Sequence, residues 1–259
     1  MADRLIGKRI FLTGAAQGIG LAMAQAFVRE GAELFLIDMD MERLEREALL
    51  LREQGAVLGF AKADISDATA VSAVVAQANR EIGTVNALVN NAGINVFAGP
   101  LETSDEEWNR CFDVNLKGAW NCSKAVLPGM IGMGGGVILN IASTHAFTII
   151  PHTFPYPLAK HALMGMTKAL GLEYAPQQIR VNAIAPGYVE TRKTVDYWNS
   201  FPDPVAARAE TMALHPGGYI ARPHEIAMAA VFMISDECPF INATCLTIDG
   251  GLSVQQHPA

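Results

Sequence analysis

Tyr156 and Lys160 lie four residues apart in a segment whose apolar spacing predicts a helix over residues 156–175. Four residues make about one helical turn, so both side chains are expected on one face of that helix. A free tyrosine has a pKa of about 10 and is a poor base at neutral pH, but a nearby ammonium group is expected to stabilise the phenolate and lower that pKa. The pair therefore predicts a general acid and base for an alcohol or carbonyl oxygen.

Ser143 precedes the tyrosine by thirteen residues and follows a predicted strand over residues 135–141. Its hydroxyl can hydrogen-bond a reacting oxygen and stabilise charge that develops there. No G-x-S-x-G turn surrounds it, although His145 lies two residues further on, so a serine hydrolase is disfavoured. The histidines show no HExxH spacing either, so we expect no metal site and disfavour a zinc dehydrogenase.

Three glycines, Gly14, Gly18 and Gly20, separate a predicted strand at residues 8–13 from a helix predicted at residues 18–30. The first permits a tight turn, the second lets the backbone approach a pyrophosphate, and the third lets the helix pack against the sheet. The free N–H groups at the start of a helix attract phosphate. A strand, a glycine-rich turn and a helix in this order predict a dinucleotide site.

Asp38 ends the second predicted strand, eighteen residues beyond Gly20. A carboxylate there can accept hydrogen bonds from ribose hydroxyls and repels a 2′-phosphate. Gln17 and Met39 are neutral where a protein that binds NADP(H) is expected to place a cation. We therefore expect NAD(H) in preference to NADP(H); the alternative is that Asp38 only starts the following helix.

The glycine spacing resembles the TGxxxGxG motif of the short-chain dehydrogenase/reductase family. Further resemblances to this family lie in the Asn90-Asn91-Ala92-Gly93 segment, in Ser143, in the YxxxK pair and in Pro186-Gly187. The motifs occur in the family's order and span essentially the whole chain. The resemblance implies interconversion of a secondary alcohol and a ketone by direct hydride transfer between the substrate and a nicotinamide cofactor.

By this resemblance Lys160 also holds the nicotinamide ribose, Asn115 holds a water that connects Lys160 to solvent, and Asp64 contacts adenine. Asn115 as a satisfied core amide and Asp64 as a helix cap remain alternatives. The implied catalytic residues are Ser143, Tyr156, Lys160 and Asn115. The cofactor site is expected to comprise Gly14, Gln17, Gly18, Ile19, Gly20, Asp38, Asp64, Ile65, Asn91, Ala92, Gly93, Tyr156, Lys160, Pro186, Gly187, Val189 and Thr191.

In this family the loops after the fourth, fifth and sixth strands surround the substrate. The candidates here are Asn95, Ser143, His145, Tyr156, Tyr188, Arg192 and Trp198. Several can donate hydrogen bonds, which favours a small polar substrate, a sugar or a sugar acid whose carboxylate meets Arg192 or a histidine. The alternative is that these residues are polar groups of a rim or an interface.

Two rival functions remain open. One is a 3-oxoacyl thioester reductase or another lipid-related hydroxy/keto dehydrogenase, a branch that usually prefers NADP(H), against which Asp38 argues. The other is a non-catalytic nucleotide-binding regulator, against which the presence of Ser143, Tyr156 and Lys160 argues.

Short apolar strands alternate with helices along the chain, which predicts βαβ units and a parallel sheet. We expect an α/β fold in one domain, residues 1–259: a single Rossmann-like, doubly wound parallel sheet of about seven strands with helices on both faces. Residues 187–223, rich in Pro, Tyr and Trp, are expected to form an irregular substrate lid. Strands are predicted at 8–13, 33–38, 56–61, 85–90, 135–141, 180–184 and 246–248, and helices at 18–30, 41–54, 68–82, 105–130, 156–175 and 225–235.

The chain has 259 residues, of which 51% are hydrophobic and 17% charged, and its net charge is −7. This acidic balance argues against nucleic acid as a partner. No signal peptide or membrane span is expected, and four cysteines without CxxC spacing predict free buried thiols in a cytoplasmic protein. The low charged fraction suggests surface hidden between subunits, and the resemblance implies a homotetramer.

Overall fold

The computed structural model describes residues 3–255, and its centre is a seven-stranded parallel sheet. Its strands lie in the order β3-β2-β1-β4-β6-β8-β9, while β5 and β7 form a separate antiparallel pair. The strands are β1 (Arg9–Thr13), β2 (Glu33–Asp38), β3 (Leu58–Lys62), β4 (Ala87–Asn90), β5 (Phe97–Ala98), β6 (Gly136–Ile141), β7 (Phe154–Pro155), β8 (Ile179–Pro186) and β9 (Cys245–Ile248). The prediction of an α/β fold with seven parallel strands is confirmed.

Helices cover both faces of the sheet, because alternate residues of each strand point to opposite sides. Ile10 of β1 belongs to a buried cluster with Phe27 and Ile226. Phe11, the next residue, belongs to a second cluster with Val75 and Val126. The helices are α1 (Gly18–Arg29), α2 (Met41–Glu53), α3 (Ala68–Glu81), α4 (Asp105–Phe112), α5 (Gly118–Met133), α6 (Tyr156–Glu173), α7 (Arg192–Asn199), α8 (Pro204–Ala213) and α9 (Pro223–Ile234).

The strand order reverses between β1 and β4, which lie side by side although two strands separate them in sequence. In open parallel sheets, ligands bind outside the carboxyl ends of the strands at such a switch point. The glycine-rich turn follows β1, and the Asn-Asn-Ala-Gly segment follows β4. The topology therefore places both segments at the entrance of one crevice.

The helix predicted over residues 105–130 is not continuous. It consists of α4 and α5 joined by a π-helical turn, Asp113–Lys117. A π-helical turn inserts a single residue into the helical repeat, so the apolar spacing on either side still suggests one long helix. Such turns occur frequently at functional sites, and this one carries Asn115 at its centre.

Residues 187–223 are not irregular as expected, because they contain the two short helices α7 and α8; their role as a substrate lid stays a prediction. Thr191 caps α7 through the N–H of Thr194, and Asp203 caps α8. The buried Trp198 of α7 donates its indole N–H to the Thr211 hydroxyl of α8 at 3.0 Å. Each helix is about two to three turns long and has a narrow apolar face, so the pairing that stabilises it is not visible in the local sequence.

The four cysteines are unpaired, as expected, but only Cys111 and Cys122 are buried, whereas Cys238 and Cys245 are partly exposed. No helix within residues 3–255 is long and apolar enough to cross a membrane.

A chain of buried polar side chains connects the sheet to α6. Asn90 of β4 donates to the Asn140 side chain of β6 at 2.9 Å, and Asn140 donates to the Thr167 hydroxyl of α6 at 2.9 Å. Thr167 in turn donates to the carbonyl of Leu163. Because buried amides must find partners, this chain fixes the position of α6 relative to the sheet.

We expect Asn140→Ala to lower the free energy of unfolding by about 1–3 kcal/mol, because the mutation removes the shared partner of Asn90 and Thr167. Urea denaturation at a fixed protein concentration measures this change. The matched control is Asn199→Ala, an exposed asparagine at the end of α7. Equal effects of the two substitutions would contradict the proposed role of Asn140.

Candidate active site

The glycine-rich turn after β1 is shaped so that side chains are excluded from it. Gly14 and Gly18 have φ of +66° and +57°, in the left-handed region that favours glycine. A Cβ on Gly20 would lie 1.9 Å from the carbonyl oxygen of Gly14. Helix α1 begins without a side-chain cap at Gln17, so its first N–H groups are available to a phosphate. Ile19, the next predicted cofactor residue, is half-buried in the first turn of α1.

Asn91 holds this turn in place from the neighbouring strand. Its side-chain amide donates to the carbonyls of Thr13 and Gly14 at 3.0 and 2.9 Å. The Thr13 hydroxyl accepts the backbone N–H groups of Asn91 and Ala92. The predicted cofactor residues on β1 and β4 therefore form one hydrogen-bonded unit, in which Asn91 supports the turn.

The far end of the crevice carries Asp38, whose carboxylate accepts the N–H groups of Ala16 and Asp40 at 2.9 and 3.0 Å. The sequence analysis missed Arg43 at this corner. Arg43 lies on α2, donates to the side chain of Gln17 and lies 3.7 Å from the carboxylate of Asp40. The first turn of α2 therefore places a cation beside the carboxylates of Asp38 and Asp40. The residues adjacent to Asp38 in the sequence do not supply one.

Two further predicted cofactor residues follow β3. Asp64 accepts the backbone N–H and the hydroxyl of Ser66, at 2.9 and 2.7 Å. Ile65 is buried, and its carbonyl accepts the Asn121 amide of α5. The Asp64 carboxylate thus orders its own loop at the rim of the crevice.

Segments that follow β8, on the other half of the sheet, complete the crevice. A Cβ on Gly187, which directly follows Pro186 at the end of β8, would lie 2.8 Å from the Cβ of Asp249. A Cβ on Gly18 would lie 3.5 Å from the methyl group of Thr191. Val189 is buried and forms a parallel bridge with Ala221. The start of the segment 187–223 therefore lies close to the glycine-rich turn.

Tyr156, Lys160 and Ser143 meet at the carboxyl end of β6. Tyr156 is the first residue of α6, and the ammonium of Lys160, one turn later, lies 5.5 Å from the centroid of its ring. Lys160 Nζ donates to the carbonyl of Ile141 at 3.0 Å. Ser143 lies two residues beyond the end of β6, and its side chain acts to lower the pKa of the Tyr156 phenol. The three side chains predicted to be catalytic are thus brought together.

Desolvation has the largest effect on the pKa values of Tyr156 and Lys160. Burial raises the pKa of Tyr156 to about 12, and the hydrogen bond from Ser143 acts in the opposite direction. Burial lowers the pKa of Lys160 to about 8. The expected net lowering of the phenol pKa is therefore not found in the protein by itself, because desolvation has a larger effect than the stabilising groups around the phenol.

Asn115, on the π-helical turn, ties this turn to the loop after β4. Its amide donates to the carbonyls of Ile94 and Cys111 at 2.9 and 3.0 Å, and its oxygen accepts the N–H of Ile94. A Cβ on Gly93 would lie 2.8 Å from that oxygen and 3.8 Å from Lys160 Nζ. Asn115 and Lys160 therefore approach the backbone of Gly93 from two helices, and only glycine fits between them.

Cys111, treated as an ordinary buried thiol from the sequence, belongs to the same group. Its sulfur accepts the Asn115 amide at 3.6 Å. Burial raises the pKa of this thiol, so it is neutral at pH 7. Its proximity to the catalytic helix comes from the turn Asp113–Lys117 and has no signature in the local sequence.

Two aromatic side chains stand against Tyr156. The rings of Phe97 and His145 lie 5.6 and 5.7 Å from its ring, both nearly perpendicular to it. Phe97 lies on β5, which pairs with β7 immediately before Tyr156. The sequence analysis included His145 among the substrate residues and missed Phe97, an exposed apolar side chain in the loop after β4 that could have been a signal.

The remaining predicted substrate residues lie in different environments. Tyr188 is half-buried with its ring edge 5.6 Å from the buried His215, and Asn95 is exposed in the loop after β4. Arg192 is exposed and lies 3.7 Å from Asp196 on its own helix. Trp198 was expected at the substrate, but it is buried between α7 and α8, with its indole N–H on Thr211, so that expectation is wrong.

Comparison with known proteins decides the family. A family model described as Enoyl-(Acyl carrier protein) reductase matches residues 14–253. Oxidoreductase UcpA of Salmonella typhimurium is 39% identical over 256 residues, which cover 98% of this chain and 97% of the relative. The chain belongs to the short-chain dehydrogenase/reductase family.

Two further short-chain dehydrogenases extend the comparison. D-threitol dehydrogenase of Mycolicibacterium smegmatis is 36% identical over 254 residues, covering 97% of this chain and 95% of the relative. The solved structure of ligand-free aldohexose dehydrogenase AldT from Thermoplasma acidophilum has a TM-score of 0.90 and 32% identity, covering 100% of this chain and 99% of that chain.

As a short-chain dehydrogenase/reductase, the chain is an oxidoreductase that acts on hydroxyl groups with a nicotinamide cofactor. The side-chain-free turn and the uncapped start of α1 fit the phosphates of that cofactor. The expected homotetramer and cytoplasmic location stay predictions.

We expect Lys160→Met to shift the pH dependence of alcohol oxidation to higher pH. Oxidation needs Tyr156 as the phenolate, and removal of the neighbouring ammonium raises the phenol pKa further. The measurement is kcat/KM for alcohol oxidation as a function of pH. Lys168→Met, two turns further along α6 and exposed, is the control. Identical pH profiles for the two variants would contradict this role of Lys160.

Proposed function

We propose that this protein interconverts a secondary alcohol and a ketone with NAD(H), acting on a small polar substrate of the sugar or sugar-acid type. The observation that carries the proposal is that the half-buried Ser143 and Tyr156 meet the buried Lys160 at the carboxyl end of β6. A non-catalytic regulator has no need of a buried ammonium one turn from a half-buried phenol.

In the direction of oxidation, the Ser143 hydroxyl orients the substrate hydroxyl and Tyr156 takes its proton. The nicotinamide ring, when bound, supplies the hydride acceptor, and in reduction the donor. Lys160 is held by the carbonyl of Ile141 and presents its ammonium to the phenol, so that it stabilises the phenolate. In reduction Tyr156 returns the proton to the oxygen.

Asp38 supports the preference for NAD(H). Its carboxylate is half-buried at the end of β2 and is fixed by two backbone N–H groups. A fixed carboxylate is suited to ribose hydroxyls and repels a 2′-phosphate. Arg43, close by on α2, contacts Gln17 and Asp40. The two carboxylates of Asp38 and Asp40 outnumber this one cation, so the corner of the crevice has a net negative charge.

We expect Asp38→Ser to raise the ratio of kcat/KM with NADP(H) to that with NAD(H) by about tenfold or more, because one like-charge repulsion of more than about 1.4 kcal/mol is removed. Arg43 lies at the same corner of the crevice and can then attract a 2′-phosphate, so Arg43→Ala in the same background is expected to cancel much of the gain.

The control for this experiment is Asp236→Ser, an exposed aspartate paired with Lys8 far from the crevice. An unchanged cofactor ratio in Asp38→Ser, equal to that of the control, would contradict the selection of NAD(H) by Asp38.

The polar wall supports a polar substrate. His145 and Tyr188 lie around the catalytic tyrosine and the lid, and relatives are named as D-threitol dehydrogenase and aldohexose dehydrogenase. The second candidate, reduction of a 3-oxoacyl thioester, is favoured by the description of the matching family model and by the exposed Phe97 beside Tyr156.

A substrate panel decides between the two candidates. We expect turnover with polyols, aldoses or sugar acids in the presence of NAD⁺ and little with acetoacetyl thioesters and NADPH, measured by nicotinamide absorbance. Tyr156→Phe is the control, with a loss of about 10²–10⁴ in kcat. Turnover confined to thioesters would refute the proposed substrate class.

A further inference from the structure

His145 is held in a fixed position beside the catalytic group. It lies on a short 3-10 turn, Thr144–Ala146, whose start is capped by Ser143, and the Ser143 hydroxyl accepts the backbone N–H of His145 at 3.2 Å. The same residue that orients the reacting oxygen therefore positions this histidine. Any substrate bound to Ser143 meets the turn that carries His145.

Two aromatic rings also pack against the imidazole of His145. It stands edge-on to Tyr156 at 5.7 Å and tilted against Phe97 at 6.2 Å between ring centroids. Perpendicular aromatic contacts of this length are favourable. These contacts fix the plane of the imidazole, but they provide no hydrogen-bond partner for its two nitrogen atoms.

The polar atoms of this ring lack protein partners. Within residues 3–255, Nδ1 of His145 is buried and has no hydrogen-bond partner. A bare N–H in the interior costs more than a bare lone pair, so the proton is expected on Nε2. Nε2 is not among the buried unpartnered atoms of residues 3–255 and has no protein partner there, so it is the ring nitrogen that a ligand can reach.

The charge state of the His145 imidazole restricts which chemical group of a substrate it can bind. Burial lowers the pKa of His145, and the neighbouring His161 lowers it further, so the ring is neutral at pH 7. Arg192, the cation expected to meet a carboxylate, is exposed and lies beside Asp196. These two observations favour a neutral hydroxyl over a carboxylate as the group that His145 binds.

We propose that His145 determines substrate specificity by hydrogen-bonding, through its imidazole, a neutral hydroxyl on the carbon next to the reacting carbon. The inference rests on the proposed function and narrows its substrate class to vicinal diols and polyols. Tyr156 and Ser143 hydrogen-bond the reacting oxygen. His145, adjacent to both, hydrogen-bonds the oxygen on the neighbouring carbon of the substrate.

The test compares 2,3-butanediol with 2-butanol, which share a carbon skeleton and differ by the neighbouring hydroxyl. The readout is the diol preference, defined as the ratio of kcat/KM for the diol to that for the monoalcohol. In His145→Phe, which keeps an aromatic ring between Phe97 and Tyr156, we expect this preference to fall roughly 10- to 100-fold, as for a lost hydrogen bond to a substrate hydroxyl.

His145→Gln retains an N–H donor and is expected to recover most of the preference. His224→Phe, an exposed histidine at the start of α9, is the matched control and is expected to keep the wild-type ratio. A merely structural role of His145 would lower kcat/KM for both alcohols together and leave the ratio unchanged.

The outcomes separate the two proposals. A wild-type enzyme that oxidises both alcohols without preferring the diol, or a ratio unchanged in His145→Phe, overturns the role of His145 and leaves the proposed reaction intact. A wild-type enzyme that oxidises neither alcohol nor any polyol, but reduces acetoacetyl thioesters, overturns the proposed function and with it this inference.

Discussion

The arrangement of the catalytic site depends on one buried ammonium, that of Lys160. A lysine in the protein interior is destabilising unless its charge is met, and here the carbonyl of Ile141 accepts a hydrogen bond at 3.0 Å. The same burial lowers the pKa of Lys160 to about 8 and raises that of Tyr156 to about 12. Two groups with perturbed pKa values one turn apart are suited to proton transfer, and the surrounding elements keep both in place.

Helix α6 must hold Lys160 against β6 for this to work, and the hydrogen bonds from Asn140 to Thr167 and from Asn90 to Asn140 set that distance. From the other side, Asn115 on the π-helical turn approaches Gly93, where a side chain would collide with it. Polar contacts specify these positions because buried amides accept few geometries, whereas apolar packing tolerates small shifts.

The two halves of the crevice differ in what they provide. The half around the glycine-rich turn presents backbone N–H groups and a fixed carboxylate at Asp38, both suited to a dinucleotide. The other half presents aromatic side chains and the neutral imidazole of His145, which suit a small uncharged substrate. The methyl group of Thr191, just before α7, would lie 3.5 Å from a Cβ on Gly18, so the segment after β8 joins the two halves.

The sequence by itself determined the order of strands and helices, the parallel sheet, and the residue types of the catalytic and cofactor motifs, because these depend on local periodicity and short spacings. The tertiary structure decided which side chains meet. Trp198 is buried between α7 and α8, Arg43 reaches Gln17 from α2, and α7 and α8 depend on each other's apolar faces. It also decided the pKa values, since desolvation of Tyr156 and Lys160 is the sum of contacts from residues distant in the chain, which no local pattern records.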